Sequence, residues 1–145
     1  TEIREKAIEA AKKKKEEEAR KAEEERVAAR QEVADFAVQF VGNPYVWGGT
    51  SLTNGADCSG FTMSVFAQFG YSLPRTAAAQ YEASNKKDIS QLETGDLVFY
   101  GAGGINHVAL YIGNGKIVHA SGAATGIKIS DYNYETPVGI GSYMK

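Results

Sequence analysis

From Thr1 to Arg30 the chain has neither glycine nor proline and is mostly alanine, glutamate, lysine and arginine. These are strong helix formers, and nothing in the stretch supplies a stop. The pattern predicts one uninterrupted helix, about 45 Å long at 1.5 Å per residue. Lys12–Glu16, Lys13–Glu17, Lys14–Glu18, Glu16–Arg20, Glu17–Lys21 and Arg20–Glu24 place opposite charges four apart, each pair worth about 0.2–0.5 kcal/mol on an exposed helix. Large apolar residues are few (Ile3, Ile8 and Val27), and no sustained a/d seam joins them. A solvated helix is therefore expected rather than a strong coiled coil. It opens in mid-pattern at Thr1, as the tail of a longer coiled-coil segment would. Two roles suit it: a spacer, or a lid over a neighbouring site.

At Gln31 the pattern changes. Val33, Phe36, Ala37, Phe40 and Val41 recur at helical spacing, and Gly42-Asn43-Pro44 ends the run. This divides the chain into a charged helical segment, residues 1–30, and a globular domain, residues 31–145. Nothing between Arg30 and Val33 breaks the helix, so both parts can share it. The 145 residues carry a formal net charge of -2 with a pI near 5.7, which gives no case for nucleic acid as a partner. No apolar run approaches the roughly 20 residues of a membrane span.

Cys58 is the only cysteine, so no intrachain disulfide forms. Phe61, Val65, Phe66 and Phe69 follow it at spacings of three and four, with Gly70 as a stop. The thiol then sits in the first turn of a short helix, where unpaired N–H groups and the helix dipole favour a thiolate. A lone cysteine also packs as a small buried hydrophobe. The two histidines, His107 and His119, both fall in strand-like segments downstream. Nucleophile, base and orienting group make the minimum set for thiol catalysis. One Cys and two His also suffice for an open zinc site, but their spacing matches no common zinc motif, and no metal or cofactor is expected.

Around this set, Tyr45-Val46-Trp47-Gly48-Gly49 reads as a loop in which Tyr45 and Trp47 either wall a groove or cover a core edge. Leu73-Pro74-Arg75-Thr76 opens a second helical stretch through Tyr81, and Arg75 is either a carboxylate clamp or a solvated surface cation. Ser84–Ser90 reads as polar loop. Strands are expected at Leu97–Tyr100, His107–Ile112, Lys116–Ala120, Ile127–Ser130 and Val138–Tyr143. Helices first and a strand meander last argue α+β with an antiparallel sheet.

The turn Gly113-Asn114-Gly115 decides whether the histidines meet. A plain two-residue Asn-Gly hairpin puts Leu110 opposite His119 and turns His107 to the other face. A three-residue loop with Gly115 in a bulge pairs Ile112 with Lys116, sets Ala109 opposite His119 and makes His107 its diagonal neighbour. The three-residue loop is the expectation.

The motifs Tyr45-Val46-Trp47-Gly48-Gly49, Asp57-Cys58-Ser59-Gly60-Phe61, Leu73-Pro74-Arg75-Thr76, Gly95-Asp96-Leu97-Val98-Phe99 and His107-Val108-Ala109-Leu110-Tyr111-Ile112-Gly113 together resemble the NlpC/P60 family of bacterial cell-wall cysteine peptidases. The resemblance runs from about Val33 to Tyr143. It implies a papain-like α+β fold, with a cysteine-bearing helix packed on a histidine-bearing antiparallel sheet. It also implies hydrolysis of peptidoglycan stem peptides, commonly between D-γ-glutamyl and a diamino acid. A secreted or wall-associated bacterial location and a monomeric catalytic domain go with it, any export signal lying upstream. On this resemblance Cys58 attacks as a thiolate, His107 moves the proton and His119 orients His107. Tyr45 and the Cys58 N–H bind the oxyanion, Asp57 and Ser59 recognise the peptide's amino end, and Arg75 takes a substrate carboxylate. Helix N-capping is the competing reading for Asp57 and Ser59. A thiol amidase or acyltransferase acting on another wall bond, and a non-catalytic wall-binding module, are the alternatives.

Overall fold

The computed structural model describes residues 1–145. A single helix, α1 (Glu2–Val38), takes up the first quarter of the chain, with the Thr1 hydroxyl accepting from the Arg4 N–H as its N-cap. Of the foreseen i,i+4 pairs, Glu17–Lys21 (3.6 Å) and Arg20–Glu24 (3.7 Å) form, both exposed. Up to Ala29 the helix is solvated except for Arg26, which is half-buried. It meets the rest of the molecule at Arg30, whose side chain is buried. The five N–H groups of that guanidinium meet five acceptors: Asp96 Oδ1, Thr94 O, Ser142 Oγ, Met144 O and Lys145 O, at 2.8–3.1 Å. Lys87 bridges Glu93 and Asp96 beside it, and Arg26 reaches Glu93 at 2.9 Å. Val33, Ala34 and Ala37 then enter the core.

Gly42, at φ +97°, turns the chain out of the helix, and a two-bond clasp with Ile127 ties the turn down. A small hairpin of β1 (Thr50–Ser51) and β2 (Gly55–Ala56) precedes α2 (Cys58–Ala67) and α3 (Ala77–Ala83). The remaining strands, β3 (Asn85–Lys87), β4 (Leu97–Tyr100), β5 (His107–Gly113), β6 (Lys116–Gly122), β7 (Gly126–Asp131) and β8 (Gly139–Ser142), build one antiparallel sheet in the order β3-β8-β4-β5-β6-β7. The expected α+β architecture is present. Two details differ from expectation. Part of Ser84–Ser90, read as loop, is the edge strand β3 followed by a 3-10 turn at Ile89–Gln91. And β8 does not extend the meander but returns to lie between β3 and β4.

Alternation along the strands divides the sheet into two faces. Leu97, Phe99, Val108, Leu110, Val118 and Ala120 join Phe61, Val65 and Phe66 of α2 in the main core. Val98, Tyr100, Ala109, Ile117 and Ile140 form a second, smaller cluster. His107 and His119 have the parity of this second set.

Candidate active site

Asp57 starts α2. Its Oδ1 accepts from the Gly60 N–H at 2.8 Å, capping the helix, and places Cys58 at the first helical position. The same carboxylate accepts from the Gly48 N–H (3.0 Å) and from both terminal nitrogens of Arg75 (3.0 and 2.9 Å), and lies 3.4 Å from the Ser59 hydroxyl. Arg75 Nη1 also donates to Ser59 Oγ at 2.9 Å. Burial raises the Asp57 carboxyl, but Arg75 and the Gly60 and Gly48 N–H groups outweigh it and hold the group below its ordinary range. N-capping by Asp57 is thus seen directly. Arg75 is not the free surface cation that one reading allowed: its guanidinium forks onto Asp57 while part of it stays open to the groove. Gln80, wholly buried, fixes the first turn of α2 to α3 by donating to Ser59 O and Pro74 O and accepting from the Thr62 hydroxyl.

The Cys58 thiol is half-buried, and burial outweighs the helix N-terminus: it pushes the thiol above its usual range, against the expected thiolate. The nearby Val108 N–H opposes that shift, as do the Ser59 and Cys58 N–H groups. Val108 directly follows His107. The sulfur of the helix layer thus meets the sheet at the start of β5, beyond the end of the β5–β6 ladder at Leu110↔Val118. A groove of about 630 Å³ opens there, lined among others by Tyr45, Trp47, Cys58, Arg75, Asn106 and His107. Trp47 is 86% exposed on its rim, so it covers no core. Tyr45 packs against the main core and lines the groove as well.

The histidines meet. His107 Nε2 lies 2.7 Å from His119 Nδ1, leaving His107 Nδ1 as the nitrogen without a protein partner. The loop is not the expected one. The closing pair is Gly113↔Lys116, around a two-residue Asn114-Gly115 turn with φ of +54° and +75°. A bulge between Tyr111 and Gly113 then absorbs one residue, and Leu110↔Val118 restores the register foreseen for the longer loop. His119 Nε2 lies 2.9 Å from Ser130 Oγ on β7. The rings of Tyr100 and Tyr134 flank the pair, 5.8 Å from His107 and 5.4 Å from His119 respectively. Burial lowers His107 to about 4. Burial, then the charges of His107 and Lys128, lower His119 to about 3. Both rings are neutral near pH 7. Ser130, the two tyrosines and the Val108 amide carried no sequence signal, since strand pairing alone brings them here.

The model of the NlpC/P60 family matches residues 42–138, about two thirds of the chain. The chain belongs to the NlpC/P60 family. It is 49% identical over 85 residues to a probable endopeptidase p60 of Listeria innocua, a match covering 58% of this chain and 18% of that protein. A γ-D-glutamyl-L-lysine dipeptidyl-peptidase of Bacillus subtilis is 40% identical over 103 residues, covering 68% of this chain and 34% of the relative. The match therefore spans from 18% to about a third of the length of these two curated relatives. Among solved structures, the NlpC/p60 domain of the peptidoglycan hydrolase SagA superposes with a TM-score of 0.70 at 36% identity, over 76% of this chain and 95% of that one. No helix is long and apolar enough to cross a membrane.

Proposed function

We propose that this NlpC/P60 chain is a cysteine peptidase that hydrolyses peptidoglycan stem peptides at the bond between D-γ-glutamyl and a diamino acid. The observation that carries the reading is the position of Cys58, at a helix N-terminus, beside the amide that follows His107, and on the same open groove as His107. The name of the Bacillus subtilis relative supports the choice of bond.

With the thiol raised and His107 lowered, the resting pair is neutral. As Sγ attacks the scissile carbonyl, the thiol proton passes to His107 Nδ1. The Cys58 N–H and the Tyr45 hydroxyl bind the oxyanion; one such donor is typically worth about 3–4 kcal/mol. Burial, then the charges of Cys58 and Asp57, raise Tyr45, so its hydroxyl keeps the proton it must donate. On collapse the C–N bond breaks and His107 delivers the proton to the departing amine. Water then attacks the thioester; its hydroxyl stays on the acyl product and its proton returns to sulfur through His107. His119 holds His107 in place. Ser59 and Asp57 meet the peptide's amino end, and the part of Arg75 facing the groove meets a substrate carboxylate. Residues 1–30 serve as a spacer to the catalytic domain, residues 31–145, at the bacterial cell wall.

Digestion of purified muropeptides, read by mass spectrometry, tests this. The wild-type chain is expected to release fragments cut after D-γ-glutamyl, Cys58→Ala to release none, and His119→Ala to act slowly but measurably. Undiminished cleavage by Cys58→Ala would end the thiol reading.

A further inference from the structure

The two histidines share a constraint that neither satisfies alone. Their facing nitrogens are 2.7 Å apart, so the neutral pair holds one proton between them. If that proton sits on His119 Nδ1, His107 carries its own proton on Nδ1 and cannot accept another there. If it sits on His107 Nε2, His107 Nδ1 presents a lone pair, and His119 must carry its proton on Nε2. The second arrangement is the only one that serves a base. It also persists when His107 becomes an imidazolium, because His107 Nε2–H then donates to His119 Nδ1.

That arrangement needs an acceptor for the His119 Nε2–H, and His119 is 1% exposed, so bulk water does not supply one. The atom present is Ser130 Oγ, at 2.9 Å. Ser130 stands on β7 two residues beyond Lys128, the partner of His119 across the ladder, so it reaches the ring diagonally on the same face. Its side chain makes no other hydrogen bond to the protein and is half-buried, so the hydroxyl proton is free to turn to solvent while a lone pair faces His119. We propose that Ser130 is a positioning residue that fixes the tautomers of both histidines, and so keeps the His107 lone pair aimed at Cys58. The proposal rests on the thiol-peptidase reading and adds a fourth member behind its three.

The experiment pairs kinetics with nitrogen-15 spectroscopy of the histidine-labelled 145-residue chain. In the wild type both rings are expected as Nε2–H tautomers. Ser130→Ala is expected to shift His119 toward Nδ1–H and to lower kcat roughly ten- to hundredfold, the cost of one orphaned buried donor, at unchanged KM. Ser130→Thr keeps the hydroxyl, suits a strand, and is expected to restore both tautomer and rate to within a few-fold. A wild-type His119 protonated on Nδ1 overturns the proposal without any variant. So does a Ser130→Ala chain with native circular dichroism and a kcat within twofold of wild type. Either result leaves the peptidase reading intact as long as Cys58→Ala is inactive. Activity in Cys58→Ala would instead remove the reading beneath it.

Discussion

Replacing Gly60 by alanine sets two physical effects against each other. Gly60 lies in the first turn of α2, and alanine in a helix interior is favoured over glycine by about 1 kcal/mol. Propensity alone therefore predicts a more stable protein. The structure predicts the reverse. A β-carbon at this position would lie 2.1 Å from the Gly49 carbonyl oxygen and 2.9 Å from Asp57 Oδ1. The first contact is more than 1 Å short of a close C–H···O approach of about 3.3 Å. Gly49 O cannot simply retreat, because it accepts from the Asp57 N–H at 3.0 Å. Overpacking of this kind costs about 1–3 kcal/mol, so the net expectation is a loss of up to about 2 kcal/mol in urea denaturation. The rate should suffer more. The displacement falls on the turn that carries Cys58, and about 1 Å of misplacement at a reacting group costs about 100-fold in kcat/KM. A Gly60→Ala chain that is stabilised by about 1 kcal/mol and cleaves muropeptides at the wild-type rate would refute the reasoning.

The remaining predictions concern charge and exposure. Since burial lowers His107 to about 4, kcat/KM is expected to hold as pH falls through 6 and to drop only near 4; an acid limb at the ordinary histidine value of about 6.5 contradicts the buried, neutral base. Both histidines have folded values below their unfolded ones, so their contribution to stability is complete above about pH 6.5 and is lost as pH falls toward 3–4, with His119→Gln flattening the slope of unfolding free energy against pH in that window. Arg30→Met empties five hydrogen bonds at once and should cost about 3–5 kcal/mol in denaturation, as breaking a buried ion pair does; a loss under 1 kcal/mol would mean the clamp adds little. Trp47→Ala, at an exposed rim position, should leave stability within about 0.5 kcal/mol while raising KM, and an unchanged KM would remove Trp47 from the groove's working surface.

What was legible in the sequence was local. The gap-free run of helix formers, the 3/4 spacing after Cys58 and the β4–β7 meander each follow from residues within one or two turns of one another. The edge strand β3 did not show, because Asn85-Lys86-Lys87 is polar; it becomes a strand only because β8 returns to offer it a ladder, and lysines on an edge discourage further pairing. Arg30 looked like one more surface cation of the charged helix. Its acceptors come from 64 to 115 residues along the chain, and no local pattern announces them. The histidine pairing was legible because a turn sets strand register, yet the one-residue shift came from a bulge at Ile112 and not from a longer loop. Ser130 stayed hidden for the same reason: β6 and β7 have their own register shift between Ala120 and Gly122, which no residue type marks.

The charge at the helix cap raises a difficulty that the geometry also answers. Asp57 immediately precedes the nucleophile, and its negative charge raises the Cys58 thiol and the Tyr45 phenol alike. In the proposed mechanism negative charge develops on the oxyanion as the thiol proton leaves for His107, and an unscreened carboxylate next door would oppose that step. Arg75 closes its fork on that carboxylate at 2.9 and 3.0 Å. The cap then keeps its hydrogen bonds to Gly60 and Gly48 while its charge is matched. Lysine has one point of charge and cannot span both oxygens, so Arg75→Lys should leave part of the carboxylate uncompensated. If Arg75 acted only on a substrate carboxylate, that change would appear in KM. Because it also neutralises the residue that caps the catalytic helix, kcat should fall with it, even on a substrate that lacks the carboxylate.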